Sequence, residues 1–322
     1  MGAGAAAADH EFRLADADAR DVARVADRVT AGGPAVDDRA WVARARDAWD
    51  DLPAGLRRRL RGFRRDSGAA GALVVRGLPV GAPPDTPSAG DSVQRHASAP
   101  AAVLVMAACG LGDPVAFAPE KSGALVQDVV PVPGREEVQG NAGSVELTMH
   151  SENAFHEHRP DFVALLCVRP DHERVACLRV ASVREALPRL SAAARDALAR
   201  PDFHTAPPPS FGAGGAARRH AVLTGDPADP DLRVDFAATT GLTASGRDAL
   251  GELADALAST ARDLRLLAGD LAVVDNRVAV HGRTAFRPRY DGRDRWLQRT
   301  FAVADLRRSR VARPRDGYVL SA

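Results

Sequence analysis

Lysine is almost missing from this chain: Lys121 stands alone, and every other basic side chain of that kind is arginine. Alanine, aspartate, glycine and proline are abundant, the usage of a GC-rich genome, so arginine richness by itself carries no functional meaning. Charge of one sign is also lacking. Forty-three basic residues face 42 acidic ones and leave a net charge of +1, which gives no electrostatic case for nucleic acid or for a membrane surface as partner. Cysteine is scarce: Cys109, Cys167 and Cys177 form no CxxC pair and no disulfide-framework spacing. Cys167 lies in the apolar run from Phe162 to Val168 and reads as a small core hydrophobe, in keeping with a reducing cytoplasm. No apolar run reaches the roughly 18 residues that a membrane-spanning helix needs. The opening Met-Gly-Ala-Gly-Ala stretch lacks a basic n-region, so no signal peptide is expected.

What is present is a chain of 322 residues, 45% hydrophobic, enough for one large domain or two small ones. Its first seventy or so residues are expected to be helical. Phe12, Leu14, Val22, Val25 and Val29 recur at helical intervals between Asp9 and Val29, and further helices are expected over Asp37–Leu52 and Ala54–Arg65. Gly71–Pro79 is the first clear strand, Pro100–Ala108 a buried helix, and Leu125–Val130 strand material. Short strands then dominate: Ser144–Thr148, Asp161–Val168, Val175–Ser182, Arg219–Leu223, Leu232–Phe236, Asp270–Asp275, Arg277–His281 and Arg295–Ala302. Helices interrupt them near Ser191–Arg200 and Ser245–Leu267. Many short strands with turn signals predict a sandwich or closed barrel. No repeat and no domain boundary is evident, so the chain reads as one domain, with its β core over 71–305. The Pro-, Gly- and Ala-rich interval Pro201–Gly215 opens an expected lid spanning about 201–243.

The chemistry concentrates in His150-Ser-Glu152 and a distant His281, within Asn276-Arg-Val-Ala-Val-His-Gly-Arg283. Two histidines and a carboxylate can occupy one face of an octahedral metal and leave the other open, as in non-haem Fe(II) oxygenases. On a strand, residues i and i+2 point the same way, so His150 and Glu152 can reach one ion while Ser151 points aside. An isolated His-x-Glu is a common coincidence, and His156 and His158 can be mere surface. His281, placed at a strand end before a glycine, gives the pair its third ligand. Arg295, Leu297, Arg299 and Phe301 then share a strand face, and guanidinium groups on an apolar face call for anionic partners. One or two carboxylate ligands beside a metal would serve; the plain alternative is pairing with local acids such as Asp291, Asp294 or Asp305.

Taken together, His150-Ser-Glu-Asn-Ala-Phe-His156, Arg159-Pro-Asp-Phe-Val-Ala-Leu-Leu-Cys-Val-Arg169, Val180-Ala-Ser182, Leu232-Arg-Val-Asp235, Val278–Phe286 and Tyr290–Arg299 resemble the clavaminate synthase-like Fe(II)/2-oxoglutarate oxygenases. Within these, the likeness is greatest to hydroxylases of free arginine, asparagine and lysine. It runs from about Gly71 to Ala302. The resemblance implies a double-stranded β-helix, or jelly roll, mainly β with flanking helices. It implies His150, Glu152 and His281 as Fe(II) ligands, Arg295 holding the distal carboxylate of 2-oxoglutarate, and Arg299 meeting the α-carboxylate of the substrate. Gln127 would help bind the amino acid backbone, and Asp235 would face the substrate's amino group or a basic side chain. Many relatives carry threonine where this chain has Leu178, so the co-substrate carboxylate loses a hydroxyl there.

With O2, such a site converts 2-oxoglutarate to succinate and CO2 and hydroxylates an unactivated C–H bond. Halogenases of the class vacate the carboxylate position for chloride. Here Glu152 fills it, which favours hydroxylation, with desaturation or cyclisation open to the same substrate. The expectation is a hydroxylase acting at C3 or nearby on an L-amino acid in specialised (antibiotic) metabolism, with arginine the first substrate. A zinc hydrolase using the same ligands is a competing reading, although no HExxH helix is present and it has no need of two arginines. A jelly-roll binding protein without catalysis is another.

Overall fold

The computed structural model describes residues 10–33, 35–211 and 218–321. Residue 9, where the first helix was expected to begin, and residues 212–217 of the expected lid lie outside the described residues.

The fold is a double-stranded β-helix of two sheets lined against each other. The large sheet runs in the order β1 (Glu11–Arg13), β2 (Ala72–Arg76), β13 (Leu271–Asp275), β6 (Phe162–Arg169), β15 (Trp296–Val303), β3 (Asp113–Phe117) and β16 (Val319–Leu320). The short β4 (Gln127–Val129) also pairs with β15. The small sheet runs β12 (Arg262–Arg265), β7 (Cys177–Ser182), β14 (Ala279–Arg283) and β5 (Leu147–His150). Their inner faces meet in one core, where Val163, Leu165, Leu297 and Phe301 of the large sheet pack with Leu178, Val180, Leu264 and Ala279 of the small one. This is the inward alternation that a period of two residues dictates.

Helices cover both outer faces. α1 (Asp16–Ala31), α2 (Arg39–Trp49) and α3 (Ala54–Arg65) surround α4 (Ala99–Leu111) on the large sheet. α4 is apolar around nearly its whole circumference, so it is buried on all sides; Ser98 caps it by accepting from the Ala101 N–H. α5 (Val183–Ala186), α6 (Ala192–Leu198) and α7 (Ala244–Thr260) cover the small sheet through Val278 and Val280. Two hairpin-like pairs complete this side: β8 (Phe203–Thr205) with β11 (Thr239–Gly241), and β9 (Leu223–Asp226) with β10 (Asp229–Leu232). No described helix is long and apolar enough to cross a membrane.

Several elements differ from expectation. Phe12 belongs not to the first helix but to β1, which runs parallel to β2; the helix starts at Asp16. The helix expected over Ser245–Leu267 stops at Thr260, because Arg262–Arg265 pairs with β7 and completes the edge of the small sheet. Local helix propensity loses there to a row of backbone hydrogen bonds. The strands expected over Arg219–Leu223 and Leu232–Phe236 shift to β9 and β10, which pair through Leu223↔Leu232 around a Pro227-Ala228 turn.

Candidate metal and co-substrate site

β14 pairs with β5 so that His281 stands opposite His150, and the two imidazoles lie 4.5 Å apart between ring centres. His281 sits inside the strand, not at its end, since β14 continues to Arg283. The intervening Gly282 is required by closeness: a Cβ there would lie 2.4 Å from the Leu147 carbonyl oxygen on β5. Glu152 reaches the pair differently from the simple strand alternation. β5 ends at His150, and Glu152 lies in the turn beyond, before Asn153 with its positive φ of 50°. The side chain of Asn276 holds this turn: its Oδ1 accepts from the Glu152 N–H at 2.7 Å, and its Nδ2 donates to the carbonyls of Glu152 and Pro160 at 3.0 and 2.9 Å. Ser151 is buried and anchors the other side, donating its N–H to the Val234 carbonyl.

One donor atom from each of His150, Glu152 and His281 lies within 4.8 Å of the others, the spacing of ligands converging on one ion. His150 donates from Nδ1 to the Thr148 carbonyl at 2.9 Å, which leaves Nε2 with a free lone pair. Nε2 of His281 is 3.7 Å from Glu152 Oε2. Burial lowers the His281 pKa, with His150 adding to it, so the ring is held neutral. For Glu152, burial pulls toward protonation but is outweighed by Arg299, His281 and His150, and the carboxyl is held well below the usual range. A neutral imidazole at His281 and an ionised carboxylate at Glu152 are donor forms a divalent metal needs. The set fits Fe(II). His156 and His158 stay outside it; the His158 N–H donates to His156 Nδ1.

Arg299 is buried beside this cluster. Its Nη1 donates to Glu152 Oε2 at 2.9 Å, and its Nη2 pairs with Glu120 and with Gln127 Oε1. Glu120 was not evident from the sequence. It lies in an Ala-Pro-Glu-Lys stretch without periodicity, and only the fold brings it to Arg299. Burial raises the Glu120 pKa, against the attraction of Arg299. Gln127 on β4 pairs in register with Arg299, and its Nε2 donates to the Ala124 carbonyl. Arg295 stands just ahead of β15, 6% exposed, with its guanidinium 5.6 Å from the Phe286 ring centre and no carboxylate paired with it among the described residues. Asp291, Asp294 and Asp305 pair with neither arginine. Asp294 accepts from the Arg289 N–H, Asp291 from the Arg293 N–H, and Asp305 from the Arg307 N–H.

A cavity of about 900 Å³ opens over the cluster, lined by His150, Glu152, Arg299, Glu120, Asn141 and Asp235. Asp235 joins His150 through an isolated bridge, and its carboxylate accepts from the Ala237 N–H. Ala206, Pro207, Pro208 and Phe211, from the described part of the expected lid, form one rim. Leu178 is buried on β7, opposite Arg283 in register, and supplies no polar atom.

A jelly roll carrying two histidines and a carboxylate beside an unpaired buried arginine is an oxygenase architecture, and the chain belongs to the taurine catabolism dioxygenase TauD, TfdA family, which it matches over residues 66–301. It is an Fe(II)/2-oxoglutarate-dependent oxygenase. The chain is 64% identical over 290 residues to the L-asparagine oxygenase of Streptomyces coelicolor, covering 89% of this chain and 87% of that protein. Its structure superposes on that of an asparagine oxygenase bound to Fe(II), (2S,3S)-3-hydroxyasparagine and succinate, with a TM-score of 0.94 and 59% identity, over 97% of this chain and 99% of the other. It also superposes on the non-haem iron oxygenase OrfP bound to iron and α-ketoglutaric acid, with a TM-score of 0.88 and 29% identity, over 96% and 99% of the two chains. Membership sets aside the zinc-hydrolase reading.

Proposed function

We propose that this protein hydroxylates C3 of free L-asparagine, with His150, Glu152 and His281 holding Fe(II), Arg295 holding the distal carboxylate of 2-oxoglutarate, and the Glu120–Arg299 pair reading the substrate's charged end. The observation that carries the reading is the convergence of the three metal donors, two of which, His150 and Glu152, line one cavity together with the largely buried Glu120–Arg299 carboxylate–guanidinium pair. A free amino acid is a zwitterion, and a paired acid and base present the complementary charges. Asparagine replaces arginine as the first substrate. The extensive likeness to an L-asparagine oxygenase supports this, and the amide of Asn141 on the cavity wall can both donate to and accept from a carboxamide. Asp235 faces the same cavity and serves as a further polar wall.

Iron, 2-oxoglutarate and O2 together supply the oxidation of an unactivated C–H bond, releasing succinate and CO2. The protein's own residues orient and exclude. Glu152 stays ionised because Arg299 lies against it, and the same guanidinium places the substrate's charged end next to the metal donors. Phe155 and Phe211, with ring centres 4.7 Å apart, close one side of the cavity with apolar surface and limit water.

Aerobic turnover with 2-oxoglutarate and a panel of amino acids tests the proposal, read by succinate release and by a product heavier by one oxygen. Asparagine should give the highest kcat/KM. A product lighter by two hydrogens would instead mark a desaturase or cyclase, and no succinate above the substrate-free level with any amino acid would sink the proposal in favour of a binding protein.

A further inference from the structure

Arg283 follows His281 by one inward step of β14, roughly 6.8 Å at 3.4 Å per residue, and shares its face of the small sheet. It is 4% exposed and, like Arg295, has no carboxylate paired with it among the described residues. Its Nη1 and Nη2 donate to the carbonyls of Gly140 and Val145 at 3.4 and 2.9 Å, while its buried Nε has no hydrogen-bond partner among the described residues. Its guanidinium carbon lies 5.5 Å from the centre of the Phe286 ring, and that of Arg295 lies 5.6 Å from the same centre. Across the β7–β14 pair, Leu178 faces the same interior and can neither donate nor accept.

Two guanidinium groups buried around one ring repel each other and have both lost water. The ring face compensates only in part, and carbonyl contacts carry no net charge. Such a pair calls for an anion between or beside the two groups. If Arg295 holds its distal carboxylate, the co-substrate is the anion at hand: Arg283 shares the Phe286 ring with Arg295 and follows the metal donor His281 by two residues on the same strand.

We propose that Arg283 is a second cationic wall of the co-substrate subsite, acting with Arg295 on the distal carboxylate of 2-oxoglutarate through its charge and its unpaired Nε–H. The inference rests on the reading of Arg295 as the residue that holds this carboxylate. It assigns Arg283 a positioning role: it touches neither the metal donors nor the bond that is oxidised. It also accounts for how the subsite does without a hydroxyl at Leu178.

The test compares two 2-oxo acids that chelate alike but differ at the far end: 2-oxoglutarate and 2-oxopentanoate, which has a methyl group in place of the distal carboxylate. Binding of each to the Fe(II)-loaded protein is measured by calorimetry without oxygen, for wild type, Arg283→Gln, Arg283→Lys and Arg295→Gln. Arg283→Gln should weaken 2-oxoglutarate about tenfold or more and leave 2-oxopentanoate within about twofold, the signature of a lost charge-assisted contact. Arg283→Lys, which keeps the charge and serves where the glutamine variant does not fold, should fall between. If the Arg283 variants bind both acids as wild type does, or weaken both equally, the inference is overturned and Arg283 is a tether for the 140–145 loop alone. If Arg295→Gln leaves 2-oxoglutarate affinity intact, it is the underlying reading of Arg295 that fails.

Discussion

Asn276 shows how much a single side chain decides in this site. It satisfies the backbone of Glu152 on both sides and has no solvent exposure. Asn276→Ala leaves an N–H and two carbonyls unpaired in the interior, so unfolding free energy should fall by about 2–4 kcal/mol. Fe(II) affinity should fall with it, since Glu152 is no longer aimed; urea melts with and without Fe(II) check both. Glu120 makes the complementary case for charge. Glu120→Gln keeps the shape but removes the carboxylate facing Arg299, so the KM for asparagine should rise about tenfold or more while iron content and the KM for 2-oxoglutarate stay unchanged. Steady-state kinetics with each substrate varied in turn, alongside metal analysis, measure this, and an unchanged asparagine KM would leave Glu120 as only a counter-ion to Arg299. The two residues differ in legibility. Asn276 opens the His281 motif but was given no role there, whereas Glu120 carried no local signal at all. Its partner Arg299 lies far along the chain, and only the β4–β15 pairing brings them together.

Among the elements, β14 carries the most function. It pairs with β7 on one side and β5 on the other, so His281 meets His150 across a ladder and Arg283 meets Leu178. Gly282 makes the β5 side of that ladder close enough. Gly282→Ala would press a methyl group onto the Leu147 carbonyl, and the strands must part; we expect about 1–3 kcal/mol of destabilisation. Iron content should fall as well, because the displaced strand carries one ligand and its partner another. Thermal melts and metal analysis of the purified variant check this, and full iron occupancy at wild-type stability would contradict it. β13, β14 and β15 were legible from alternation and turn residues within a few positions. β12 was not, since Arg262–Arg265 extends a helical pattern and becomes a strand only because β7 offers an edge. The turn holding Glu152 was misread for a similar reason. Strand periodicity gives the right neighbours, but the side chain of Asn276, from the turn between β13 and β14, holds the backbone of Glu152 in a turn instead.

Across the whole molecule, the segment around the cavity depends on a neutral histidine. His220 is pushed down to about 4 by burial, with Arg233, Arg159 and His204 adding to this against the Ala221 carbonyl. Its Nδ1 donates to that carbonyl, and its Nε2 meets Thr205 Oγ1 at 2.8 Å; Thr205 in turn meets Thr239, which accepts from the Asp235 N–H. The unfolded chain takes up the proton near 6.5 and the folded chain only near 4. Stability from this group is therefore whole above about 6.5 and is lost as pH falls toward 4. Urea midpoints should drop between pH 7 and 5, and His220→Gln should flatten that part of the profile. The thiols behave oppositely: burial pushes Cys109 and Cys167 up to about 12, so neither should react with iodoacetamide at neutral pH until the chain unfolds. Mass spectrometry of alkylated folded and unfolded protein reads this directly.

By itself the sequence determined the chemistry class and the layered β core, because hydrophobic alternation and the two motifs that carry the metal donors, around His150-Ser-Glu152 and around His281, are each written into short segments. The tertiary structure alone decided which charges face one another. It placed Glu120 against Arg299 and Asn276 under Glu152, and it left Arg283 and Arg295 around one phenyl ring with no carboxylate paired to either among the described residues. Burial and strand pairing set those partnerships, and both act between residues that are remote in the chain and so leave no local trace.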